Sequence, residues 1–208
     1  MGKAVISAVI SAVIAYLLGS INTSIIVSKL IGADDIRSKG SGNAGATNTL
    51  RILGKKAAAF VVLGDGLKGV AAILFARFIE KYIFGISDSA YSEYAAAVFV
   101  MIGHVFPVFF GFKGGKGIMT SIAVIFMLDP RIGGILLAVF VAVVICSNHI
   151  SLGSVVSAVC FPISVIFLHT GDKGFIFSSV IIAVIAVLKH KTNMVRLIHG
   201  EESKFIKH

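Results

Sequence analysis

The residues from Gly40 to Arg51 form the stretch of this chain best suited to chemistry. They read Gly-Ser-Gly-Asn-Ala-Gly-Ala-Thr-Asn-Thr-Leu-Arg. Glycines let backbone N–H groups approach an anion and form a concave site for it, and an arginine adds a planar cation suited to phosphate. A flexible surface loop is the alternative. We predict an anion site at Gly40, Ser41, Gly42, Asn43, Thr47, Asn48 and Arg51.

A second glycine-rich stretch, from Gly111 to Gly117, carries two lysines directly before an apolar segment. The N-terminus of a helix binds anions through its unpaired N–H groups. The stretch does not match the Walker A pattern, so it indicates a phosphate or carboxylate rather than a nucleotide. A tight turn with lysines on the cytoplasmic side is the alternative. The candidate ligands are Lys113, Gly114, Gly115, Lys116 and Gly117.

Near the C-terminus, His190 and Asn193 are three residues apart, which places them on one face of a helix. Histidine is the side chain best suited to proton transfer near neutral pH. A polar residue at the membrane boundary, without a chemical role, is the alternative.

Three polar residues interrupt apolar segments. Asp65 and Lys68 are three apart in one such segment, and His104 lies in the next. Charges in lipid are costly unless they pair or face a polar pocket. Asp65 and Lys68 therefore form either a structural ion pair or a ligand site. For His104, which has the same two alternatives, we expect a structural role.

The composition indicates a membrane protein. The chain of 208 residues is 57% hydrophobic and 14% charged, with a mean hydropathy of +0.97, whereas soluble domains carry about 25% charged residues. Backbone amides in lipid must pair internally, and the apolar runs do not alternate with polar residues, so we predict an all-α fold.

The formal charge of +9 does not indicate nucleic acid, because the cations lie in short loops and at the C-terminus. No metal site is predicted, since Cys146, Cys160 and the histidines lack ligand spacing.

Hydropathy predicts a single membrane domain over residues 1–208, built as a bundle of seven transmembrane helices. A long polar loop, 32–56, follows the first of them. The predicted spans are Ala4–Ile31, Ala57–Ile79, Tyr94–Phe110, Ile118–Leu128, Ile132–Ser147, Leu152–Leu168 and Phe175–Leu188.

The distribution of basic residues predicts the orientation. With seven spans, thirteen Lys and Arg residues fall on one side and five on the other, while Lys68 lies inside a span. The positive-inside rule puts the richer side in the cytoplasm and the N-terminus outside. All the glycine-rich motifs lie on the cytoplasmic side. A re-entrant fourth segment would overturn this assignment.

The motifs together resemble the bacterial acyl-phosphate:glycerol-3-phosphate acyltransferase family, PlsY. The resemblance rests on three motifs and covers nearly the whole chain. They are Gly40–Asn48 with Arg51, Gly103–Pro107 with Phe112–Gly117, and His190–Asn193 with Arg196-Leu197. It extends to Gly19-Ser20-Ile21 and to Asp65-x-x-Lys68-Gly69. Ala44 departs from the residue that is common at that position in the family, and its side chain is not needed as a donor.

The resemblance implies a monomeric enzyme of the bacterial inner membrane, with an active site open to the cytoplasm and no metal or cofactor. It would move a fatty acyl group from acyl phosphate to the 1-hydroxyl of sn-glycerol 3-phosphate, the first acylation of phospholipid synthesis. Membrane lipid would surround it. The expected catalytic residues are Ser41, Arg51, His190 and Asn193, with Asp65, Lys68 and His104 in support.

Two other function classes fit parts of the pattern. An anion transporter would place its substrate near the membrane midplane between repeats, but the polar motifs cluster at one face and no repeat is evident. A scaffold that binds anionic lipid through basic loops leaves the Ser-Asn-Thr-Asn-Arg arrangement without a purpose.

Overall fold

The computed structural model describes residues 2–87 and 89–205, and these residues are helical wherever they have regular secondary structure. They form two compact units, Met1–Met127 and Leu128–His208. The prediction of one domain over the whole chain stays a prediction.

The first unit contains the two glycine-rich stretches. Its helices are α1 (Gly2–Gly19), α2 (Thr23–Leu30), α3 (Ala46–Phe78), α4 (Tyr91–Val105) and α5 (Ile118–Leu128). Short 3-10 turns cover Ile36–Ser38 and Val108–Phe110, and a π-helical turn over Ile79–Ile83 extends α3.

The second unit contains α6 (Pro130–Ser147), α7 (Ile150–Leu168), α8 (Lys173–Lys189) and α9 (Lys191–Ile198). Asp129 caps α6, because its carboxylate accepts hydrogen bonds from the backbone N–H groups of Arg131 and Ile132 at 2.7 and 3.4 Å. The same carboxylate lies 2.6 Å from Nε2 of His169 at the end of α7. One acidic residue therefore connects the start of α6 to the α7–α8 turn.

The first predicted span consists of two helices. The α1 helix ends at Gly19, and Asn22 begins α2 by accepting a hydrogen bond from the N–H group of Ile25 at 3.2 Å. Asparagine is among the best residues for capping a helix N-terminus. The polar residues between Gly19 and Ser24 thus mark a break between helices, which the hydropathy pattern did not resolve.

The second predicted span begins earlier than expected. Hydropathy predicts a start at Ala57, but α3 begins at Ala46 and includes polar residues of the predicted loop. The helix is interrupted at Gly54, whose φ of 83° and ψ of −177° are not helical. A positive φ is accessible to glycine at little cost, so Gly54 lets a polar helical turn precede the apolar part of α3.

Within the described residues, five helical segments are long and apolar enough to cross a membrane, or six if α8 and α9, bent by 52°, count as one. The all-α membrane fold is therefore confirmed. The predicted fourth span is α5, whose 11 residues extend about 16 Å, half of the roughly 30 Å hydrocarbon core. The count of seven spans and the orientation stay predictions.

The closest helix packing in the first unit joins α1 and α4 through two glycines. A Cβ added at Gly19 would overlap the backbone of Val100, and one added at Gly103 would overlap the Tyr16 carbonyl oxygen. Small residues let membrane helices approach closely enough for backbone contact. This contact fixes the end of α4, from which the second glycine-rich stretch continues.

Replacing Gly103 by alanine should destabilise the protein by about 1–3 kcal/mol, because the new methyl group must push α1 and α4 apart. Thermal unfolding in detergent, followed by circular dichroism, measures this effect. Gly134→Ala in α6 is the control, since a Cβ there meets no atom within 4 Å and helix propensity favours alanine. Equal melting temperatures for Gly103→Ala and the unsubstituted protein would contradict the close approach.

Candidate active site

The Ser41 loop, residues 39–45, is folded around the buried side chain of Asn48. Its Nδ2 donates to the carbonyl oxygens of Ile36 and Lys39 at 3.1 and 3.0 Å, and its Oδ1 accepts from the Ser41 N–H group at 2.9 Å. The side chain is only 1% exposed. Asn48, predicted as a phosphate ligand, thus uses both donor hydrogens to shape the loop that presents Ser41.

The far end of the Ser41 loop is attached to α2. Nδ2 of the buried Asn22 lies 3.4 Å from the Ala44 carbonyl oxygen, and the hydroxyl groups of Ser24 and Thr49 are 2.9 Å apart. Ala44 also packs in an apolar cluster with Ile25, Ile36, Leu53 and Phe110. Sequence reasoning did not assign Asn22 or Thr49 to the site. The polar break in the first span was the one available signal.

The Lys113 loop, residues 111–117, packs directly against α4. The N–H groups of Gly114 and Gly115 donate to the carbonyl oxygens of Val105 and His104, both at 3.2 Å. A Cβ at Gly114 would overlap the His104 carbonyl oxygen, and one at Gly115 would overlap the His104 ring and approach the Ala44 carbonyl oxygen. The interpretation of these two glycines as anion donors is therefore revised, because their N–H groups are used internally and their small size permits close packing.

The two loops meet in the first unit. The approach of Gly115 to Ala44 brings them into contact. The Arg37 side chain, just before the Ser41 loop, donates to the carbonyl oxygens of Phe110, just before the Lys113 loop, and of Lys113. Sequence reasoning counted Arg37 only as one of the loop cations. No residue pattern could have revealed its partners, because they are backbone carbonyl groups more than 70 positions away.

A buried polar cluster lies beneath the two loops. Nζ of Lys68 is 2.9 Å from Oδ1 of Asp65, 2.9 Å from the Ile21 carbonyl oxygen and 2.8 Å from Nδ1 of His104. Thr23 donates to the same Asp65 oxygen at 3.1 Å. An ammonium group has three N–H bonds and here has three acceptors, so Lys68 is fully engaged inside the protein.

Asp65 and Lys68 form an ion pair, and the pair connects α3 to the residues around the α2 N-terminus and to α4. Whether they also contact a ligand stays a prediction. His104 accepts from Lys68 through Nδ1, so that nitrogen carries no proton in this arrangement. The backbone carbonyl of the same histidine holds Gly115. The cluster therefore supports the Lys113 loop directly.

The other candidate residues of the first unit lie in or near these loops and differ in their exposure to solvent. Arg51, Thr47 and Lys113 are exposed, whereas Ser41, Asn43 and Lys116 are half-buried. Gly40, Gly42 and Gly117 have positive φ angles of 61°, 71° and 80°, which glycine adopts readily. The first unit thus combines a rigid polar frame with side chains that reach solvent.

His190 and Asn193 lie in the second unit, at the junction of α8 and α9. Nδ1 of His190 is 2.8 Å from the Ala186 carbonyl oxygen, which can only accept, so Nδ1 carries a proton. In the neutral ring the lone pair is then on Nε2. The side chain is 3% exposed. The contact therefore fixes one tautomer of the neutral ring.

Asn193 is held by a residue that the sequence analysis did not consider. Its Nδ2 donates to Oε1 of Glu202 at 2.6 Å, and Oε2 of Glu202 lies 3.4 Å from Nε of Arg196. The N–H group of Asn193 also donates to the His190 carbonyl oxygen at 2.9 Å. The segment after α9 therefore folds back to fix the Asn193 amide.

Comparison with known proteins identifies the family. The model of the glycerol-3-phosphate acyltransferase family matches residues 9–200. The glycerol-3-phosphate acyltransferase of Clostridioides difficile (strain 630) is 44% identical over 200 residues, which cover 96% of each chain. The relative of the same description from Neisseria gonorrhoeae (strain NCCP11945) is 42% identical over 192 residues, covering 91% of this chain and 93% of the relative.

Two solved structures of PlsY, an integral membrane glycerol 3-phosphate acyltransferase, have the same fold. The glycerol 3-phosphate form is 35% identical, covers 96% of each chain and superposes with a TM-score of 0.85. The lysophosphatidic acid form is 34% identical, covers 95% of each chain and gives a TM-score of 0.81. With its apolar helices, the chain is a multi-pass membrane protein that belongs to the PlsY family of glycerol-3-phosphate acyltransferases.

Proposed function

We propose that this protein transfers a fatty acyl group from acyl phosphate to the 1-hydroxyl of sn-glycerol 3-phosphate. The products are lysophosphatidic acid and inorganic phosphate. The observation that carries the proposal is the contact between two glycine-rich loops fixed to one buried ion pair, with the exposed cations Arg51 and Lys113 beside them. Both substrates carry phosphate, and the related PlsY has glycerol 3-phosphate and lysophosphatidic acid forms.

The chemistry needs a base and anion stabilisation but no enzyme nucleophile. Acyl phosphate is a mixed anhydride, so the glycerol hydroxyl oxygen attacks its carbonyl carbon directly. A C–O bond forms, the bond from the carbonyl carbon to the phosphate oxygen breaks, and phosphate leaves with the electron pair. The hydroxyl proton passes to the base. Cations near the leaving phosphate stabilise its growing charge.

The first unit supplies the phosphate sites in this proposal. Lys113 and Lys116 hold one phosphate, while Arg51, Asn43 and Thr47 hold the other, and Ser41 orients the attacking hydroxyl. Left-handed backbone at Gly40, Gly42 and Gly117 lets the chain turn closely around these groups. The donors of Asn48, Gly114, Gly115 and Lys68 are used by protein atoms. In this proposal Asn48, Gly114 and Gly115 therefore position the loops, and the cluster of Asp65, Lys68 and His104 supports them from below.

His190 supplies the base in this proposal. The hydrogen bond from Nδ1 of His190 to Ala186 supports a role for Nε2 in accepting the hydroxyl proton. Glu202 holds the Nδ2 side of the Asn193 amide, and this fixed amide steadies the region around His190. Glu202 is therefore part of the proposed machinery.

The setting of the reaction is proposed from charge and hydropathy. The enzyme acts as a monomer in the bacterial inner membrane, with the acyl tail among the helices and both phosphates at the cytoplasmic rim. The positive-inside rule supports this orientation, with α5 counted as a span.

Purified protein given a long-chain acyl phosphate and glycerol 3-phosphate should form lysophosphatidic acid and release one phosphate for each acyl group transferred. Colorimetric phosphate release and mass spectrometry of the lipid product measure the two outcomes. Glycerol in place of glycerol 3-phosphate is the control and should give little product. Transfer from acyl-CoA or acyl carrier protein, but not from acyl phosphate, would refute the proposed donor.

His190→Asn should lower kcat by about 10²–10⁴-fold, the usual contribution of a general base. The asparagine amide can still donate to the Ala186 carbonyl oxygen, so the α8–α9 junction keeps its hydrogen bond. Steady-state kinetics and a melting curve separate chemistry from folding. His199→Ala, at an exposed histidine just after α9, is the control. A kcat for His190→Asn within a few-fold of the control would remove His190 from the mechanism.

Arg51→Lys should weaken binding of a phosphate substrate, because an ammonium point charge does not replace a planar pair of donors. Hydrogen bonds to charged groups contribute about 1.5–3 kcal/mol, which corresponds to a rise in KM of about 10- to 100-fold. Titrating each substrate in turn shows which phosphate Arg51 holds. Lys55→Arg, at an exposed site after the Gly54 kink, is the matched control. Unchanged KM values for both substrates would exclude bidentate contact.

A further inference from the structure

Each of the three guanidinium nitrogens of Arg37 donates to a partner in the first unit. Nε lies 3.0 and 3.1 Å from the two carboxylate oxygens of Asp35, and Nη2 lies 2.6 Å from Oδ2 of the same residue. Nη1 donates to the carbonyl oxygens of Phe110 at 2.7 Å and Lys113 at 3.1 Å. One planar group therefore joins the segment before the Ser41 loop to the Lys113 loop.

The two carbonyl groups flank a conformationally demanding turn. Between them, Gly111 and Phe112 have positive φ angles of 67° and 59°. A left-handed conformation costs a non-glycine residue roughly 1–2 kcal/mol, and such residues persist where their surroundings fix them. The N–H groups of Phe110 and Phe112 both donate to the Pro107 carbonyl oxygen. Arg37 holds this turn from its other side.

We propose that Arg37 is a positioning residue that sets the place of the Lys113 loop relative to the Ser41 loop. The inference rests on the proposed function, in which the lysines of one loop and Arg51 with its neighbours hold the two phosphates. Arg37 holds the backbone of Lys113, so it fixes where that side chain begins. It touches no reacting atom in this assignment and acts through the loops alone.

The requirement is for arginine specifically. Its rigid, planar guanidinium donates hydrogen bonds to Asp35 from one edge and to two carbonyl groups from another. The three donors of a lysine all radiate from one nitrogen atom. Asp35 fixes the fork in turn, because its carboxylate also accepts from the Arg37 backbone N–H at 2.9 Å. The hydrogen bonds from Arg37 lower the pKa of the Asp35 carboxyl. The ion pair is therefore complete near neutral pH and weakens only in acid, as the pH falls through that lowered pKa.

The test compares Arg37→Lys and Arg37→Met with Lys39→Met in the full-length protein. Lys39 pairs with Asp34 at 2.7 Å in the same region, but both side chains are largely exposed, at 51% and 71%. The readouts are kcat/KM for each phosphorylated substrate, per folded protein, and hydrogen exchange of the backbone amides in residues 110–117. Methylguanidinium and methylamine are added separately to Arg37→Met as rescue agents.

The positioning role predicts that both Arg37 variants lose about 10- to 100-fold in kcat/KM, the effect of a small misplacement of binding groups. Amide exchange in residues 110–117 should rise in both, methylguanidinium should restore more activity than methylamine, and Lys39→Met should match the unsubstituted protein. If Arg37→Met does not fold, Arg37→Lys carries the test through the same kinetic and exchange measurements.

Two results would overturn the inference. One is an Arg37→Lys enzyme with the kcat/KM of the Lys39→Met control, since the fork would then be dispensable. The other is lost activity with unchanged exchange in residues 110–117, since the loop would not depend on Arg37. Failure of the proposed function is a separate outcome, because the unsubstituted protein would then form no lysophosphatidic acid from acyl phosphate and glycerol 3-phosphate.

Discussion

The ammonium group of Lys68 is the constraint on which the first unit depends. A charge in the apolar interior of a membrane protein is tolerated only with partners close by, because water does not solvate it there. Lys68 has three, and they come from three segments: Asp65 in its own helix, the Ile21 carbonyl before α2, and His104 in α4. Any relative shift of these segments would leave a buried charge or donor without its partner.

The residues that surround Lys68 also hold the two surface loops in place through further hydrogen bonds. The Ile21 carbonyl adjoins Asn22, whose side chain begins α2 and reaches the Ala44 carbonyl oxygen. His104 receives the N–H group of Gly115 on its backbone. Both loops are thus attached to residues that the buried charge already fixes. Exposed cations such as Arg51 and Lys113 can remain mobile at their tips, while the backbone that carries them is held.

Sequence predicted the parts of the structure that depend on local composition. Long apolar runs identified the helices, and the spacing of Asp65 and Lys68 indicated their pairing, because both features follow from the cost of polar groups in lipid. The early start of α3 at Ala46 was missed, since a short polar helix stabilised by packing has no hydropathy signal and Gly54 looks like a loop residue. The partners of Arg37 were missed because backbone carbonyl groups are the same at every position.

The glycines of the Lys113 loop show a limit of motif reading. A glycine before a helix indicates free N–H donors as readily as it indicates a lack of space for a side chain. The structure assigns Gly114 and Gly115 to the second case, through overlap with His104 and Pro107. The two cases differ only in what lies within a few ångströms of the Cα atom, and that information belongs to the tertiary fold. The prediction that the lysines of the same loop bind an anion does not depend on this distinction.

The junction of α8 and α9 shows how a helix end can fix the tautomer of a histidine without a dedicated partner side chain. A continuing α-helix would pair the Ala186 carbonyl oxygen with the N–H group of residue 190. Here that N–H group donates to Val187 instead, at 3.0 Å, and the Ala186 oxygen accepts from the His190 ring. This exchange of hydrogen-bond partners ends α8. It also gives the Ala186 carbonyl oxygen a donor and places the ring proton of His190 on Nδ1. The tautomer therefore follows from where α8 ends, because the Ala186 oxygen accepts from the ring only where the backbone N–H group of residue 190 does not take it.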